Sequence, residues 1–434
     1  MYIKRDRYLN QLISRLISRH GNGQIKIITG VRRCGKSFLL SKIFCDHLKS
    51  TGVPDDHIIS IALDDDINEK YRATEELSSY VRSRITNAYE TFYVMLDEVQ
   101  YVISRNEMRN PYVPIKLYGF LNGLLRLGNV DVYVTGNNSK MLSKDVMTEF
   151  RGRGDVVEIS PLSFKEYFGY VGGDRSDVFE EYALYGGMPL ILGKKNDEEK
   201  FKYLSNLFDE VYFKDIVERY QIELIDVLGE LTDALCSSVG SLTNASKIVN
   251  TLKSVKGVKV SSETITAYLE YLTDSFLFKR SRRYDVKGKK YFEYPSKYYC
   301  VDIGLRNVRL NLRQQEETHI MENIVYNELL TRGFSVDVGV VRIEETDEAG
   351  KRRQKSYEID FVVNKGAKKY YIQSALNISD DMKARQELRP LLTVNDFFKK
   401  FVITKTSMKP WVDEIGIIHL GLYDFLLNED YFEL

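Results

Sequence analysis

The 434-residue sequence predicts an α/β protein whose first third is a parallel sheet with helices on both faces. Apolar, strand-like runs alternate with helical patterns, and one of these runs leads directly into a glycine-rich loop, Gly30–Ser37. Another run ends in two adjacent carboxylates, Asp97 and Glu98. Because parallel strands end at one edge of their sheet, we expect the loop and the acidic pair to meet there. The predicted strands are Ile25–Thr29, His57–Leu63, Phe92–Leu96, Val130–Thr135 and Val156–Ile159.

The glycine-rich loop fits the phosphate-binding pattern G-x-x-x-x-G-K-[ST] and lies between a buried strand and a helix that starts near Phe38. Gly30 and Gly35 allow the backbone to wrap closely around anionic oxygens. The Lys36 ammonium is placed to reach the β- and γ-phosphates, and the Ser37 hydroxyl is placed to ligate Mg²⁺. We therefore expect a site for ATP or GTP. The predicted nucleotide-binding residues are Gly30, Val31, Arg32, Arg33, Cys34, Gly35, Lys36 and Ser37.

The acidic pair follows the apolar run Tyr93–Leu96, which is typical of a strand buried on both faces. In nucleotide hydrolases this position holds the metal, so Asp97 is expected to bind Mg²⁺ through water. Glu98 is placed to polarise the water that attacks the γ-phosphate. An isolated Asp-Glu pair usually means a solvated acidic turn. The phosphate-binding loop upstream is what favours the catalytic interpretation.

Two polar segments flank the helix before the fifth predicted strand. Asn137 follows the fourth strand and is placed to sense the γ-phosphate between the two nucleotide motifs, although a plain Gly-Asn turn is the alternative. The segment Arg151–Gly154 precedes the fifth strand. An arginine there can stabilise charge on the transferring phosphoryl group, either in its own chain or in a neighbouring subunit.

Composition limits the wider classes of function. The chain has 62 basic and 62 acidic residues, so attraction to nucleic acid or to a membrane surface would have to come from local patches. Its four cysteines show neither metal-ligand spacing nor a disulfide framework. No apolar run approaches the roughly 20 residues needed to cross a bilayer. We therefore expect a cytoplasmic protein without a membrane partner.

Five segments carry a family resemblance: Ile28–Leu39, Leu96–Gln100, Thr135–Ser139, Pro161–Phe164 and Tyr185–Pro189. Together they resemble a large group of prokaryotic AAA-type ATPases, the relatives of archaeal-type and STAND P-loop ATPases. The resemblance implies a P-loop NTPase core of the additional-strand, catalytic-glutamate type. In such a core the sensor strand lies between the strands that bear the two nucleotide motifs. The resemblance also implies ATP as the nucleotide, a helical lid, and Arg153 as the arginine finger.

The rest of the chain predicts three further parts. An ATPase core at 1–170 is followed by a helical lid at 171–221, a winged-helix-like module at 222–297 and an α/β domain at 298–434. The winged-helix interpretation depends on short helices followed by a basic hairpin, as the family implies. Such a hairpin suits contact with the phosphate backbone of DNA, and it suits interdomain contact equally well. Its basic residues are Lys279, Arg280, Arg282, Arg283, Lys287, Lys289 and Lys290, and its interleaved aromatic residues are Tyr284, Tyr291 and Phe292.

The C-terminal part resembles the restriction-endonuclease-like fold, whose site combines a helix acid, a strand aspartate and a Glu/Gln-x-Lys triplet. Glu322, Asp360 and Gln373 match these positions, but Ala375 stands where the resemblance requires lysine. An alanine methyl group cannot donate a proton or bind an anion, and a glutamine in place of an acid removes one charge from a Mg²⁺ site. We therefore expect a vestigial, non-cutting site in a domain that still binds nucleic acid or serves as a scaffold.

Two functions remain open at this point. In the first, an ATP-driven switch or motor acts on DNA and grips it with the two C-terminal parts. In the second, the ATP state controls docking of a protein partner, and no nucleic acid is contacted. A third alternative, a nuclease gated by ATP, is disfavoured by Ala375. A homo-oligomer also remains open, because Arg153 could act within one chain or between copies.

Overall fold

The computed structural model describes residues 2–16, 23–104, 106–107, 110, 112–136, 153–346, 352–377, 381–407 and 409–432. The chain divides into two compact units. The first unit comprises Met1–Pro161 with Asp274–Phe276, and the second comprises Leu162–Thr273 with Leu277–Leu434.

The first unit contains a five-stranded sheet in the order β2-β3-β4-β1-β5. All neighbouring strands in it are parallel. The sheet confirms the predicted α/β fold, and β4 lies between the strand that leads into the phosphate loop and the strand that ends in the acidic pair. This is the strand order of the additional-strand type. The strands are β1 (Ile25–Gly30), β2 (Ile58–Ala62), β3 (Phe92–Asp97), β4 (Val130–Thr135) and β5 (Gly154–Ile159).

Side chains along the strands alternate between the two faces of the sheet. Both faces are covered by packed side chains. Val132 belongs to a buried apolar cluster with residues of the helices Thr74–Arg84 and Lys116–Leu125. The next residue, Tyr133, points to the opposite face, where its ring lies 4.8 Å from that of Phe44. Buried strands of this kind read as nearly continuous apolar runs, which is why the sequence pattern predicted them.

The face that carries Tyr133 also contains a buried ion pair between β1 and β4. The Lys26 ammonium donates to a carboxylate oxygen of Asp131, and both side chains are fully buried. The Tyr133 hydroxyl donates to the other oxygen of Asp131 at 2.9 Å. Burial, and then the Asp131 charge, raise the pKa of Tyr133 far above its ordinary value. These paired charges lie on adjacent strands whose register places Lys26 beside Tyr133.

The segments between the strands of the first unit are mostly helical. The helix expected after the phosphate loop begins at Lys36 and ends at Ser50, with a π-helical stretch, Leu39–Phe44, in its middle. The other helices among the described residues of this unit are Asp6–Ile13, Thr74–Arg84 and Lys116–Leu125, with short 3₁₀ turns at Asp55–His57, Asp66–Arg72 and Val99–Val102.

The second unit begins with helices and continues as a mixed α/β structure. Its helical elements up to β6 are Phe164–Val171, Arg175–Tyr185, Pro189–Gly193, Asp197–Asn206, Leu207–Phe213, Lys214–Tyr220, Ile225–Ser237, Ala245–Lys256 and Ser262–Asp274, the last of which ends in the first unit. The later ones are Ile303–Arg309, Glu317–Thr331, Asp381–Leu392, Leu422–Leu427 and Asp430–Phe432.

The sheet of the second unit has eight strands in the order β12-β13-β11-β10-β9-β8-β6-β7. Parallel pairs join β10, β11 and β13, while β8, β9 and β10 pair in antiparallel fashion. The strands are β6 (Phe278–Asp285), β7 (Lys290–Cys300), β8 (Ser335–Thr346), β9 (Arg352–Lys365), β10 (Lys368–Ala375), β11 (Lys399–Thr404), β12 (Trp411–Val412) and β13 (Ile417–Gly421).

The basic hairpin was expected to belong to a separate module at 222–297, but it is part of the eight-stranded sheet. Its strands β6 and β7 form one end of the eight-stranded sheet, and β6 pairs in parallel with β8 through Arg283–Asp285. The hairpin is therefore continuous with the C-terminal strands, and the boundary expected at residue 297 falls inside β7. The physical reason is that backbone hydrogen bonds to β8 satisfy the inner edge of β6. The domain limits 1–170, 171–221, 222–297 and 298–434 otherwise stay predictions.

No helix among the residues that the structure describes is both long enough and apolar enough to cross a membrane.

Candidate nucleotide-binding site

The phosphate loop depends on two glycines for its shape. Gly30 has a φ of 135°, and a Cβ atom there would lie 2.1 Å from the carbonyl oxygen of Ile159 on the neighbouring strand β5. Gly35 has a φ of 99° and directly precedes the helix that begins at Lys36. Both conformations are costly for residues with a Cβ. The turn therefore aims the first amide groups of that helix into the loop, an arrangement suited to anions.

The lysine of the motif lies inside the loop. Its Nζ donates to the carbonyl oxygens of Gly30 and Val31, each at 3.0 Å, and the side chain is buried. Ser37, one residue further along the helix, is exposed. The loop thus carries a positive charge at its centre and a hydroxyl group at its rim. These are the groups that contact phosphate oxygens and a hard divalent cation.

Residues near the N-terminus hold the loop from outside. The Arg5 guanidinium donates to the carbonyl oxygen of Cys34 at 3.4 Å and to that of Ser160 at 2.6 Å. The Tyr8 hydroxyl accepts from the Ser160 amide at 3.0 Å. The Cys34 thiol lies 3.4 Å from the Ile159 carbonyl oxygen, and burial raises the pKa of this thiol. The sequence pattern did not single out Arg5, because only the fold brings the N-terminal segment to the loop.

The acidic pair lies at the carboxyl end of β3. Asp97 is the last residue of the strand, and Glu98 turns into the left-handed region with a φ of 55°. The Thr135 hydroxyl, at the end of the adjacent strand β4, donates to the Asp97 carboxylate. The Thr135 hydroxyl oxygen also accepts a hydrogen bond from the backbone amide of Glu98 at 2.9 Å. The Gln100 side-chain amide donates to the Glu98 carboxylate. The Thr135 hydroxyl therefore contacts the Asp97 carboxylate and the Glu98 backbone at once.

Sequence reasoning placed the polar sensor of this edge at Asn137 and overlooked Thr135. Asn137 lies outside the described residues, so its role stays a prediction. Thr135 is fully buried and ends β4 with a hydroxyl group, directly beside the end of β3. A polar residue that ends an otherwise apolar buried strand was the available signal.

Arg153 lies at the opposite edge of the sheet from the phosphate loop. Its carbonyl oxygen accepts from the Ile25 amide at 2.8 Å, and Ile25 pairs with Gly154 at the amino ends of β1 and β5. The loop begins at Gly30, at the other end of the six-residue strand β1. The two ends lie about 16 Å apart at roughly 3.3 Å per residue, which is more than an arginine side chain can span. Arg153 is exposed at this edge.

The three residues assigned to a vestigial nuclease site do come together in the second unit. The Asp360 amide donates to the Gln373 side-chain oxygen at 3.4 Å, and the Ser374 amide donates to the Asp360 carboxylate at 2.9 Å. Glu322 and Asp360 both lie near the ammonium of Lys297, at 2.9 Å and 3.9 Å. Sequence reasoning did not find Lys297, which belongs to β7 and matches no position of the expected motif.

The electrostatics of this cluster follow from its burial. Burial opposes the charge on Lys297, but the carboxylates of Glu322, Asp360 and Glu358 outweigh that effect and raise the pKa of Lys297 above its ordinary value. Burial, and then the Glu322 charge, raise the pKa of the Asp360 carboxyl well above its ordinary value. The ammonium is therefore held firmly in its charged form, while the raised pKa favours the neutral form of the Asp360 carboxyl.

The basic hairpin combines cations with aromatic rings. The Arg282 guanidinium lies over the Tyr291 ring at 4.2 Å, and that of Arg283 lies over the Phe292 ring at 5.3 Å. The Tyr291 hydroxyl donates to Asp337 on β8 at 2.8 Å. Arg282 and Tyr291 are exposed. An exposed arginine supported by an aromatic ring, as Arg282 is, suits contact with phosphates and with bases.

Comparison with known protein families agrees with the geometry of the first unit. A family model described as an AAA domain matches residues 22–168, which contain the phosphate loop, the acidic pair and all five strands of the parallel sheet. Residues 22–168 are thus similar to AAA domains, and the order of their parallel strands is that of a P-loop NTPase fold. A second family model, described as a domain of unknown function (DUF8612), matches residues 176–316.

Two uncharacterized proteins are similar to most of the chain. One, from Haemophilus influenzae, is 32% identical over 432 residues, which cover 98% of this chain and 99% of that protein. The other, uncharacterized protein MJ1544 from Methanocaldococcus jannaschii, is 29% identical over 379 residues, which cover 84% of this chain and 77% of that protein. Among solved structures, Cdc6p from Pyrobaculum aerophilum is 12% identical, with 74% of this chain and 94% of that chain covered and a TM-score of 0.30. A TM-score this low carries no conclusion about fold or function.

Proposed function

We propose that this chain, which belongs to the same family as the Haemophilus influenzae protein, binds Mg·ATP at Gly30–Ser37 and hydrolyses it as a nucleotide-driven switch or motor. The observation that carries the proposal is the single buried hydroxyl of Thr135, which bonds to Asp97 and to Glu98 at the same sheet edge where the phosphate loop begins. A site that only held nucleotide would not need two acids oriented together.

The donors at this edge fit a magnesium ion. Ser37 offers a hydroxyl group and Asp97 a carboxylate, and hard oxygen ligands are those that Mg²⁺ prefers. A bound Mg²⁺ would neutralise charge on the triphosphate. Lys36 would exchange its bonds to the loop carbonyls for bonds to the β- and γ-phosphates.

Glu98 acts as the general base in this scheme. Its backbone is held in a left-handed turn by the Thr135 hydroxyl, and its carboxylate accepts from Gln100. A carboxylate fixed in this way can take a proton from a water molecule aligned with the γ-phosphate. Thr135 is a positioning residue, because it acts through the two acids.

Arg153 acts between copies of the chain in this proposal. It lies at the amino edge of its own sheet, too far from its own phosphate loop to reach a bound triphosphate. An arginine finger from this position would therefore complete the site of a neighbouring subunit in a homo-oligomer. Arg153→Ala should slow hydrolysis in the oligomer and leave the turnover of isolated monomers unchanged.

The proposal is tested by measuring ATP binding and turnover with matched variants. Lys36→Ala should weaken binding, because it removes the positive charge that opposes the phosphates. Glu98→Gln should bind ATP with near-normal affinity but show no turnover, because an amide cannot accept the proton. Equal turnover in wild type and Glu98→Gln would remove Glu98 from the mechanism. Failure of calorimetry to detect Mg·ATP binding by folded protein would refute the site itself.

DNA is the partner that the basic hairpin favours, because Arg282 and Arg283 are both stacked on aromatic rings there. Binding through phosphates should weaken steeply as salt concentration rises. Charge reversal in Arg282→Glu and Arg283→Glu should weaken it further, whereas Lys259→Glu on the exposed loop before the helix Ser262–Asp274 serves as a matched surface control. Absent binding, or binding that salt does not affect, would favour an ATP-regulated scaffold for a protein partner.

A further inference from the structure

Lys297 forms ion pairs with the carboxylates that would bind the metal ion in a nuclease-like site. The Lys297 ammonium lies 2.9 Å from Glu322, 2.7 Å from Glu358 and 3.9 Å from Asp360. These groups come from three elements: β7, the helix Glu317–Thr331 and β9. Glu358 and Asp360 are two residues apart on β9 and so share one face of the strand. One cation thus links all three elements.

The Glu322 and Asp360 carboxylates already accept hydrogen bonds from the protein's own donors. One oxygen of Glu322 accepts from both Lys297 and the Tyr299 hydroxyl, the latter at 2.7 Å. One oxygen of Asp360 accepts from the Ser374 amide at 2.9 Å. A divalent cation would have to displace these donors and approach a neighbouring positive charge. Among the described residues, no group of three or more His, Cys, Asp or Glu side chains is arranged to hold a metal ion.

The cluster is also closed to a polymeric substrate. Lys297 is 3% exposed, Glu322 7% and Asp360 9%. The backbone of Gly240 lies against Glu322, since a Cβ atom at that glycine would be 3.2 Å from the carboxylate. A phosphodiester must reach the metal and the acids together for cleavage to occur. Burial of Lys297, Glu322 and Asp360 opposes that approach, while the fourth member of the cluster, Glu358, is partly exposed. The residues present therefore do not fit the metal that the resemblance to nucleases implies.

We propose that Lys297 is a built-in cation that takes the place of the metal ion, so that the C-terminal domain neither binds a catalytic metal nor cuts nucleic acid. Lys297 therefore does not take over the catalytic role of the lysine that the nuclease motif has at the position of Ala375. Lys297 instead converts the acidic cluster into an internal clamp that joins β7, β9 and the helix Glu317–Thr331. This inference concerns the second unit alone and does not depend on ATP hydrolysis in the first.

The experiment measures Mn²⁺ binding to the full chain without nucleotide, by electron paramagnetic resonance. Every protein also carries Asp97→Asn, which silences the expected metal ligand of the ATP site. The parent should bind Mn²⁺ weakly, and Glu322→Gln or Asp360→Asn should leave that binding unchanged. Lys297→Met keeps the aliphatic stem but removes the charge, and it should bind Mn²⁺ at least about tenfold more tightly, a change of about 1.4 kcal/mol. Lys297→Arg keeps the charge and should resemble the parent.

Several outcomes would overturn the proposal. Mn²⁺ binding by the parent that Glu322→Gln or Asp360→Asn weakens would show that a metal occupies the cluster beside Lys297. A folded Lys297→Met protein without any gain in Mn²⁺ affinity would show that the ammonium does not hold the metal position. Should Lys297→Met fail to fold, the parent measurement and a plasmid-cleavage assay decide instead. Mn²⁺-dependent cleavage that Asp360→Ala abolishes would restore a nuclease, whereas no cleavage and weak, Asp360-independent binding support the built-in cation.

Discussion

Replacement of Thr135 by valine tests how the two acids of the nucleotide site are oriented. Valine has nearly the same shape as threonine, so packing at this fully buried position should be preserved. What is lost is one hydroxyl group that donates to Asp97 and accepts from the Glu98 amide at 2.9 Å. Asp97 would then lose the donor that orients its carboxylate, and the backbone turn at Glu98 would lose its acceptor.

The size of the effect follows from these two bonds. Loss of a hydrogen bond to a charged group costs about 1.5–3 kcal/mol, and about 1.4 kcal/mol corresponds to a tenfold change in rate. We therefore expect kcat for ATP hydrolysis to fall by about 10–100-fold. The KM for ATP should change by less than about threefold, because Lys36 and the phosphate loop contribute most of the ground-state binding and do not touch Thr135.

The assay is steady-state ATP hydrolysis over a range of Mg²⁺ concentrations, with calorimetry of nucleotide binding. Thr135→Ser is the matched control, because it keeps the hydroxyl group and loses only a methyl group. It should retain turnover within a few-fold of wild type. Turnover in Thr135→Val within twofold of wild type would refute the orienting role. Equal losses in the Val and Ser variants would refute it too, since the hydroxyl would then not be the cause.

Three further outcomes are expected. Gly30→Ala should lower the free energy of unfolding by at least about 2 kcal/mol through φ strain and overpacking, because its Cβ would lie 2.1 Å from the Ile159 carbonyl oxygen. In urea denaturation, Gly35→Ala should lower the free energy of unfolding by less, because its Cβ would meet no atom within 4 Å. Equal losses of stability in the two variants would contradict the steric argument. Asp131→Leu should lower the free energy of unfolding by about 3–5 kcal/mol, because it leaves the Lys26 ammonium buried without this carboxylate. The double variant Lys26→Met/Asp131→Leu should recover most of that stability. A double variant as unstable as the single one would show that the buried charge is not the cause. Burial raises the pKa of Asp302 from 3.8 to about 6, so its contribution to stability is fully present below pH 3.8 and is lost as the pH rises through 6, a change of ~3 kcal/mol. Urea denaturation between pH 3.5 and 7 should show this fall in the wild type and a flatter profile in Asp302→Asn. A rise in the stability of the wild type relative to the variant over this pH range would contradict the prediction.

The nucleotide motifs and the parallel sheet were predictable because their signals are local. Gly30 and Lys36 are six residues apart, and the loop places them correctly whatever surrounds it. Strands β1, β3 and β4 are buried along most of their length, so each appears as a short, mostly apolar run. Glu322, Asp360 and Gln373 were instead predicted from a resemblance to the restriction-endonuclease-like fold, and the structure brings them close together.

Longer-range contacts escaped the same reasoning. Arg5 reaches Cys34 and Ser160 only because the chain folds back on itself, and Thr135 meets Asp97 only because β4 lies beside β3. The hairpin β6–β7 was predicted from its basic and aromatic residues, but nothing in its pattern indicated which strand it would pair with.

From its order of residues alone, the chain determines a phosphate loop, an acidic strand end and the α/β fold that brings them to one edge. The tertiary structure decides which side chains complete those sites. It places Arg153 at the far edge of its own sheet and Lys297 among the carboxylates of the C-terminal domain. The physical reason is that backbone geometry repeats over a few residues and leaves a periodic pattern in sequence. The pairing of charges across distant segments depends on strand order and burial, which leave no such pattern.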